Sequence, residues 1–426
     1  MKQALKYHIV LMLVSPMFGL YYAIKASNPL YKKWMLVFFI TLFGSTIQFA
    51  PGADATTHQE HVNTHYYSLP FSEFLDELED ILLLQPQRDT NDDVYIHILS
   101  FLCGSLLGVP GLFFVFVSFV YGYFYVSGML KVFQYVNFKQ KSWLVWGFIL
   151  LFIFYKSIDN INTVRTWTGL WVLFNGAFGY FLTKKRKYLL LVAATPLIHI
   201  GYAALALPTA VVCLFKVRPF LYVGIFAASF TTQAVPIGII NQLSSTQLGA
   251  SKVKYYYTDP ESNIDRSDSM SSKNWYVYYG KHIAPVWGTN FLAGLLLITG
   301  VFFYHMNKQE QLLFSVCLLT VAMANFNYFL YALYNRGYAI AGLFAIATIL
   351  LLLSRNKKVF KNHILRKVFH TCIVVSIGVY SITGIFVLSN LLSFVSAFMI
   401  GLPFVPWFVN GINLSLREFI GEIAGI

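Results

Sequence analysis

Three ionisable features lie close together in the middle of this 426-residue chain. Arg165 closes the run Asn160-Ile-Asn-Thr-Val-Arg165 between two apolar segments. The second of these, Thr166–Leu182, ends in the basic cluster Lys184-Lys185-Arg186-Lys187. A third apolar run carries one histidine, His199, before Pro208. With Thr166–Leu182 across a bilayer, Arg165 and the cluster face opposite sides, and the positive-inside bias puts the cluster inside. Arg165 is then a cation at the outer, N-terminal end of a helix. It adds to the positive end of the helix dipole and calls for an anion. Arg336, in Asn335-Arg336-Gly337, repeats the arrangement at a second outer helix start. Two guanidinium forks at one face suit a diphosphate, which each can grip bidentately. The plainer alternative is an interfacial arginine that snorkels and pairs with a loop acid such as Asp159.

His199 sits in Leu197-Ile198-His199-Ile200-Gly201, inside an apolar hairpin. Ionisable groups at that depth are functional candidates, here as a general base or a donor to an anionic oxygen. The alternative is a histidine bonded to the break in the hairpin. Asp54 follows an apolar run in Pro51-Gly52-Ala53-Asp54 and could orient or deprotonate a hydroxyl at the membrane surface. It is equally one acid in an acidic loop. His58, His61 and His65 would share a face if helical, a spacing that could hold zinc. Asp89-Thr-Asn-Asp92-Asp93 lacks the spacing and glycine of an EF-hand and reads as a solvated acidic cluster. Lys281-His282 precedes an apolar run and could contact a phosphate or simply flank the span. There is no Walker A motif, no GxGxxG, no GxSxG and no HExxH. No metal site and no cofactor is expected. The energy for any reaction must come with the substrate or from an ion gradient.

The elements that position these residues are apolar spans. The chain is 57% hydrophobic and 12% charged, where soluble domains carry about 25% charged residues. The pattern predicts an all-α fold, a polytopic transmembrane helical bundle of about 10–12 spans with re-entrant and interfacial helices. Candidate spans are His8–Ala23, Trp34–Ala50, Gly111–Leu130, Trp143–Tyr155, Thr166–Leu182, Phe220–Ile240, Pro285–Tyr304, Leu312–Tyr334, Tyr338–Ser354 and Phe369–Ser389, with a further run at Asn390–Val409. Tyr188–Phe215 starts and finishes inside, and its 28 residues are too few for two spans of about 20 each. It reads as a broken hairpin turning near His199–Pro208 and lining a cavity. Residues 1–426 form one integral membrane domain, with large outer loops at 51–93 and 241–284. The first holds a helix over Phe71–Leu84, and Tyr95–Leu107 is a short re-entrant or surface-lying helix. The first apolar segment follows Met1–Tyr7 without a small-residue cleavage site, so no cleavable signal is expected.

The net charge of +13 invites a nucleic-acid partner, but sorting the charges removes it. The inner loops hold 19 of the 31 Lys and Arg and one of the 18 acids, Glu310. The excess is a topology signal and a contact with anionic lipid, and no nucleic-acid partner is expected. Cys103, Cys213, Cys317 and Cys372 all lie in apolar segments without a CxxC pair, which predicts neither disulfides nor zinc.

The order of these features resembles the EpsG/Wzy-like group of bacterial polysaccharide polymerases. Gly52-Ala53-Asp54 with Tyr66-Tyr67 is similar to that family's first outer loop, with Ala53 where Thr is usual. Asp92-Asp93-Val-Tyr95-Ile-His97 resembles its acidic-aromatic start of the short outer helix. Arg165–Thr168, Lys184–Lys187 and His199 resemble its Arg, Lys-rich and His block, and Arg336 is similar in position to a later arginine. The resemblance implies a GT-C-like membrane glycosyltransferase, multi-pass in the bacterial inner (cytoplasmic) membrane. It would join undecaprenyl-diphosphate-linked oligosaccharide repeat units of an O-antigen, capsule or exopolysaccharide at the periplasmic face. Arg165 and Arg336 would stabilise the diphosphate leaving group without a metal, and Asp54 or His199 would activate the acceptor hydroxyl. Tyr66, Trp275, Tyr276 and Lys281 are the expected glycan contacts. The bilayer, a chain-length regulator and a flippase of the same pathway would be its partners. Rival readings are a ligase of the same fold, a lipid-linked oligosaccharide transporter, and a membrane acyltransferase using the histidine. The transporter reading lacks the internal repeat such proteins often show.

Overall fold

Apolar runs become helices here, and Asn, Ser and Pro set many of their ends. Asn28 caps the helix that starts at Pro29 by accepting the Tyr31 N–H at 3.0 Å. Asn307 and Glu310 form a reciprocal capping box. Asn362 accepts from Ile364 N at 2.8 Å. The computed structural model describes residues 2–49, 54–85, 93–139, 142–215, 218–231, 275–328, 330–355, 362–409 and 414–425.

The chain opens with α1 (Lys2–Val14), α2 (Pro16–Lys25) and α3 (Pro29–Thr46). Two polar-loop helices follow, α4 (Asp54–Asn63) and α5 (Phe71–Leu82). The short α6 (Val94–Phe101) runs on as a π-helical turn to Leu106. Next come α7 (Phe113–Phe133), α8 (Trp143–Phe154), a 3-10 turn over Ile158–Thr163, and α9 (Thr166–Thr183). The broken hairpin is α10 (Lys187–Ile198), α11 (Tyr202–Leu205) and α12 (Leu207–Phe215), followed by α13 (Pro219–Ala228). The second half holds α14 (Trp275–Tyr278), α15 (Ala284–Ile298), α16 (Val301–Tyr304), α17 (Lys308–Phe326), α18 (Tyr331–Ser354), α19 (His363–Phe394) and α20 (Leu416–Ala424). Among the described residues there is no strand, only an isolated bridge between Ser396 and Ser415.

The protein is an all-α polytopic bundle. Five described helical stretches are long and apolar enough to cross a membrane, and five shorter apolar helices accompany them. Helix α18 is the hub: it packs on α17, α15 and α8, and 94% of its most apolar window is buried. Being apolar all round, it has no solvent face to offer. Helix α19 is the rim, with 28% of its window buried and Val375, Ile385 and Leu388 facing outward. A second packed series runs from α3 to α7, from α7 to α9, and from α9 to α10.

Most expected spans coincide with helices, but several ends move. His8–Ala23 is not one span. Ser15 adopts extended backbone before Pro16, and Gly19 folds back onto Met12, so α1 and α2 form a hairpin. Proline after an extended residue is what breaks the run. Arg336 does not open a helix. Helix α17 ends at Phe326 and α18 starts at Tyr331, so Arg336 lies in the second turn of α18. Helix α19 continues through Ser389, which the sequence placed at a span end. The expected loop 241–284 lies outside the described residues up to 274, as does the far half of Phe220–Ile240.

Candidate active site

Helix α10 contains Pro196 and stops at Ile198. His199 then takes extended backbone (φ −156°, ψ 121°), and α11 restarts the chain three residues later. This is the expected break, and it leaves His199 buried at 2% exposure. The hairpin is held to the start of α9 by Tyr202, whose hydroxyl donates to the Thr166 carbonyl at 2.7 Å. Gly169 makes that approach possible: a Cβ there would lie 2.6 Å from the Tyr202 ring.

Arg165 stands at the N-cap position of α9, behind a 3-10 turn with unusual backbone at both ends. Lys156 has φ 56° and Val164 has φ 47°. A β-branched residue at positive φ is strained and persists only where neighbours hold it. The Lys156 end of the turn is held in this way. Tyr121 donates to the Lys156 and Ser157 carbonyls at 2.7 and 2.8 Å, and Trp171 Nε1 donates to Lys156 at 3.1 Å. The turn therefore aims Arg165 rigidly.

What Arg165 meets is Asp93. The carboxylate of Asp93 accepts from Arg165 Nη1 at 2.5 Å, from His199 Nδ1 at 3.1 Å, and from the Ile200 backbone N–H at 2.7 Å. Asp93 occupies the N-cap position of α6 yet makes no cap bond with its side chain. On the far side of the imidazole, Arg336 Nη1 lies 2.9 Å from His199 Nε2. A guanidinium only donates, so Nε2 accepts and the proton sits on Nδ1, pointing at Asp93. The imidazole is neutral in this arrangement, and its lone pair is engaged by Arg336. Burial disfavours the charged Asp93, but His199, the Arg165 charge and the Ile200 N–H together hold its carboxyl well below the usual range. Two guanidiniums, one carboxylate and a neutral ring leave the cluster with net positive charge.

His58 completes one wall. It lies on α4, one turn beyond Asp54, with its Nδ1 buried and no hydrogen-bond partner for that atom among the described residues. Burial, then the charge of Arg165, lower His58 to about 4, against the pull of Asp54. Asp54 itself is exposed at the first residue of α4. His65 lies beyond the end of α4 and meets Glu77 at 2.8 Å, so the three histidines do not share the expected helical face.

The structure thus joins Arg165, His199 and Arg336 through a residue the sequence did not single out as functional, Asp93. Asp159, the loop acid offered as a partner in the plainer alternative for Arg165, is instead buried with Ser157, Asn160 and Asn390. Tyr66 is fully buried, its hydroxyl 2.7 Å from His97 Nδ1, and it links the turn after α4 to α6. Trp275 is exposed, and Tyr276 reaches Ser389 Oγ at 3.4 Å. The side chain of Lys281 lies outside the described residues, as do Pro51–Ala53 and Asp89–Asp92.

A family model described as the EpsG family matches residues 32–409. The chain belongs to the EpsG family. This EpsG-family chain therefore sits among Wzy-like polysaccharide polymerases and has a polysaccharide polymerase-type function in a multi-pass membrane protein. No curated protein and no solved structure matches it. The matched range contains every member of the Asp93 cluster.

Proposed function

We propose that this EpsG-family chain joins lipid-diphosphate-linked oligosaccharide repeat units at the outer face of the cytoplasmic membrane, with the Asp93 cluster as its diphosphate site. One observation carries the reading: two guanidiniums from separate helices are tied to a single buried carboxylate–imidazole pair. Substrate transfer breaks the bond between the donor sugar's anomeric carbon and a diphosphate oxygen. Negative charge grows on that oxygen, and fixed cations stabilise it without reorganising as the bond breaks. Arg165 and Arg336 supply these cations. His199 has its lone pair on Arg336, so it positions that guanidinium; it does not take a proton while that bond stands. Asp93 holds Arg165 directly and Arg336 through His199.

The acceptor hydroxyl needs a base from another direction. Asp54 and His58 lie on one face of α4, and His58 is neutral with an unused nitrogen. Either places a proton acceptor beside Arg165, and Asp54 is the more accessible to an aqueous acceptor. Trp275 and Tyr276 offer aromatic faces for glycan. Undecaprenyl diphosphate is the expected carrier, and a chain-length regulator and a flippase the expected pathway partners.

The test is a defined reaction. Purified protein is incubated with an undecaprenyl-diphosphate oligosaccharide, and products are read by mass spectrometry. The reading predicts lipid-linked dimers and longer chains with equimolar release of undecaprenyl diphosphate. Release of diphosphate carrier without chain extension, or extension only onto a different acceptor lipid, would contradict it.

A further inference from the structure

Helix α10 is 12 residues long, about 18 Å at 1.5 Å per residue. At the end away from His199, among the basic loops, four helices, α3, α7, α9 and α10, border a cavity of about 600 Å³. Lys33 of α3, Lys131 of α7 and Lys187 of α10 all line it. Among the described residues no acidic one does.

The ammonium groups are placed rather than merely exposed. Lys131 Nζ donates to Asn175 Oδ1 at 2.9 Å. Asn175 is buried, and its amide is fixed by donating to the Phe124 and Trp171 carbonyls at 2.6 and 2.8 Å. Its oxygen can therefore only face the lysine. Lys33 Nζ sits 3.6 Å from the centre of the Tyr123 ring, while Lys131 and Lys187 flank Tyr188 at 4.9 and 5.5 Å. Tyr188 is pressed against α9 at Gly179, where a Cβ would fall 2.4 Å from its ring. Cation–ring contacts hold like charges near one another but do not cancel their repulsion. An anion does.

We propose that this cavity binds a phosphate group, presented by the headgroup of an anionic membrane lipid. Three ammonium point charges suit a phosphate's several oxygens. The cavity is also lined by Leu30, Leu130 and Leu191, apolar surface that suits the glycerol and upper acyl region of a lipid. Charge and apolar wall together favour a lipid over a free metabolite. The site lies at the far end of α10 from the Asp93 cluster and does not depend on its role. Because α10 carries Lys187 at one end and leads into His199 at the other, an occupied cavity also secures the helix that sets the hairpin break.

Native mass spectrometry of the full chain in neutral detergent tests this, with phosphatidylglycerol, phosphatidylcholine and inorganic phosphate as separate probes. Phosphatidylglycerol should be retained over phosphatidylcholine. The variant Lys33→Gln/Lys131→Gln/Lys187→Gln should weaken that binding by at least ~10-fold, since hydrogen bonds from charged donors are stronger than neutral ones. The control Lys184→Gln/Lys185→Gln/Arg186→Gln, which removes equal charge outside the cavity, should leave it within ~2-fold. Lys33→Gln alone gives a milder second variant with an intermediate loss. Inorganic phosphate bound as tightly as the lipid, and lost in the same triple variant, would support the phosphate site and identify a soluble source. Equal lipid loss in the control, or unchanged binding in the cavity variant at unchanged melting temperature, would overturn the proposal.

Discussion

Asp93 carries more of the site than any other single residue. Its carboxylate is fully buried, and removing one partner of a buried ion pair costs about 3–5 kcal/mol. Asp93→Asn keeps the shape but not the charge. It should lower the melting temperature and reduce polymerisation sharply, and Arg165→Ala, which leaves the buried carboxylate without its cation, should do both as well. A stable, active Asp93→Asn protein would remove the carboxylate from the scaffold. Arg165→Lys should rescue poorly, because an ammonium cannot reproduce the planar fork; initial rates at matched abundance decide this. The pH dependence follows from His58 and Asp93. His58 is lowered to about 4 when folded against an ordinary value near 6.5, so the unfolded chain binds more protons between those values. Stability should fall as pH drops through that window, and fall again below pH ~4 as Asp93, held low in the fold, is forced to take a proton. His58→Gln should shrink the first phase in a melting-temperature profile, the remainder coming from the other buried histidines, His97 and His199, and leave the second.

At the scale of elements, the broken hairpin and the bent turn before α9 bring the cluster together. Gly169 is the contact between them. Gly169→Ala should cost about 1–3 kcal/mol by overpacking against Tyr202, and should lower activity by displacing His199 from Asp93. Gly224 is the control: nothing lies within 4 Å of its Cβ position, so Gly224→Ala on exposed α13 should be neutral or stabilising by up to about 1 kcal/mol. Unchanged or raised stability in Gly169→Ala would mean that helix propensity rather than packing governs the position. The hairpin break was legible in sequence because 28 residues between two basic loops cannot cross twice. Arg165, His199 and Arg336 stood out because charge is scarce in apolar runs. Asp93 did not, since Asp89-Thr-Asn-Asp92-Asp93 reads as a solvated acidic cluster. Only the fold shows the cap unmade and the carboxylate turned to residues 72 and 106 positions away. The α1–α2 hairpin was equally hidden, because hydropathy alone reads through Ser15-Pro16.

Across the whole molecule, charge sorting and packing describe the same body. Basic loops gather where Lys33, Lys131 and Lys187 meet, and the Asp93 cluster lies at the other end of α10. A cysteine at exposed Tyr67 should react with an impermeant thiol reagent from outside intact cells, and one at exposed Lys185 should not. The native thiols Cys103, Cys213 and Cys317 are buried, so a Cys372→Ser background suffices. The reverse labelling pattern would place the proposed diphosphate site on the wrong side for outer-face assembly. The most direct measurement is a glycan ladder from cells lacking this chain, complemented with wild type, Arg165→Ala or Arg336→Ala at equal membrane abundance. The account predicts a full ladder with wild type and collapse to one repeat unit with either variant, each removing about 10²–10³ in turnover. A wild-type ladder from both arginine variants would contradict the assignment of the cluster as the diphosphate site.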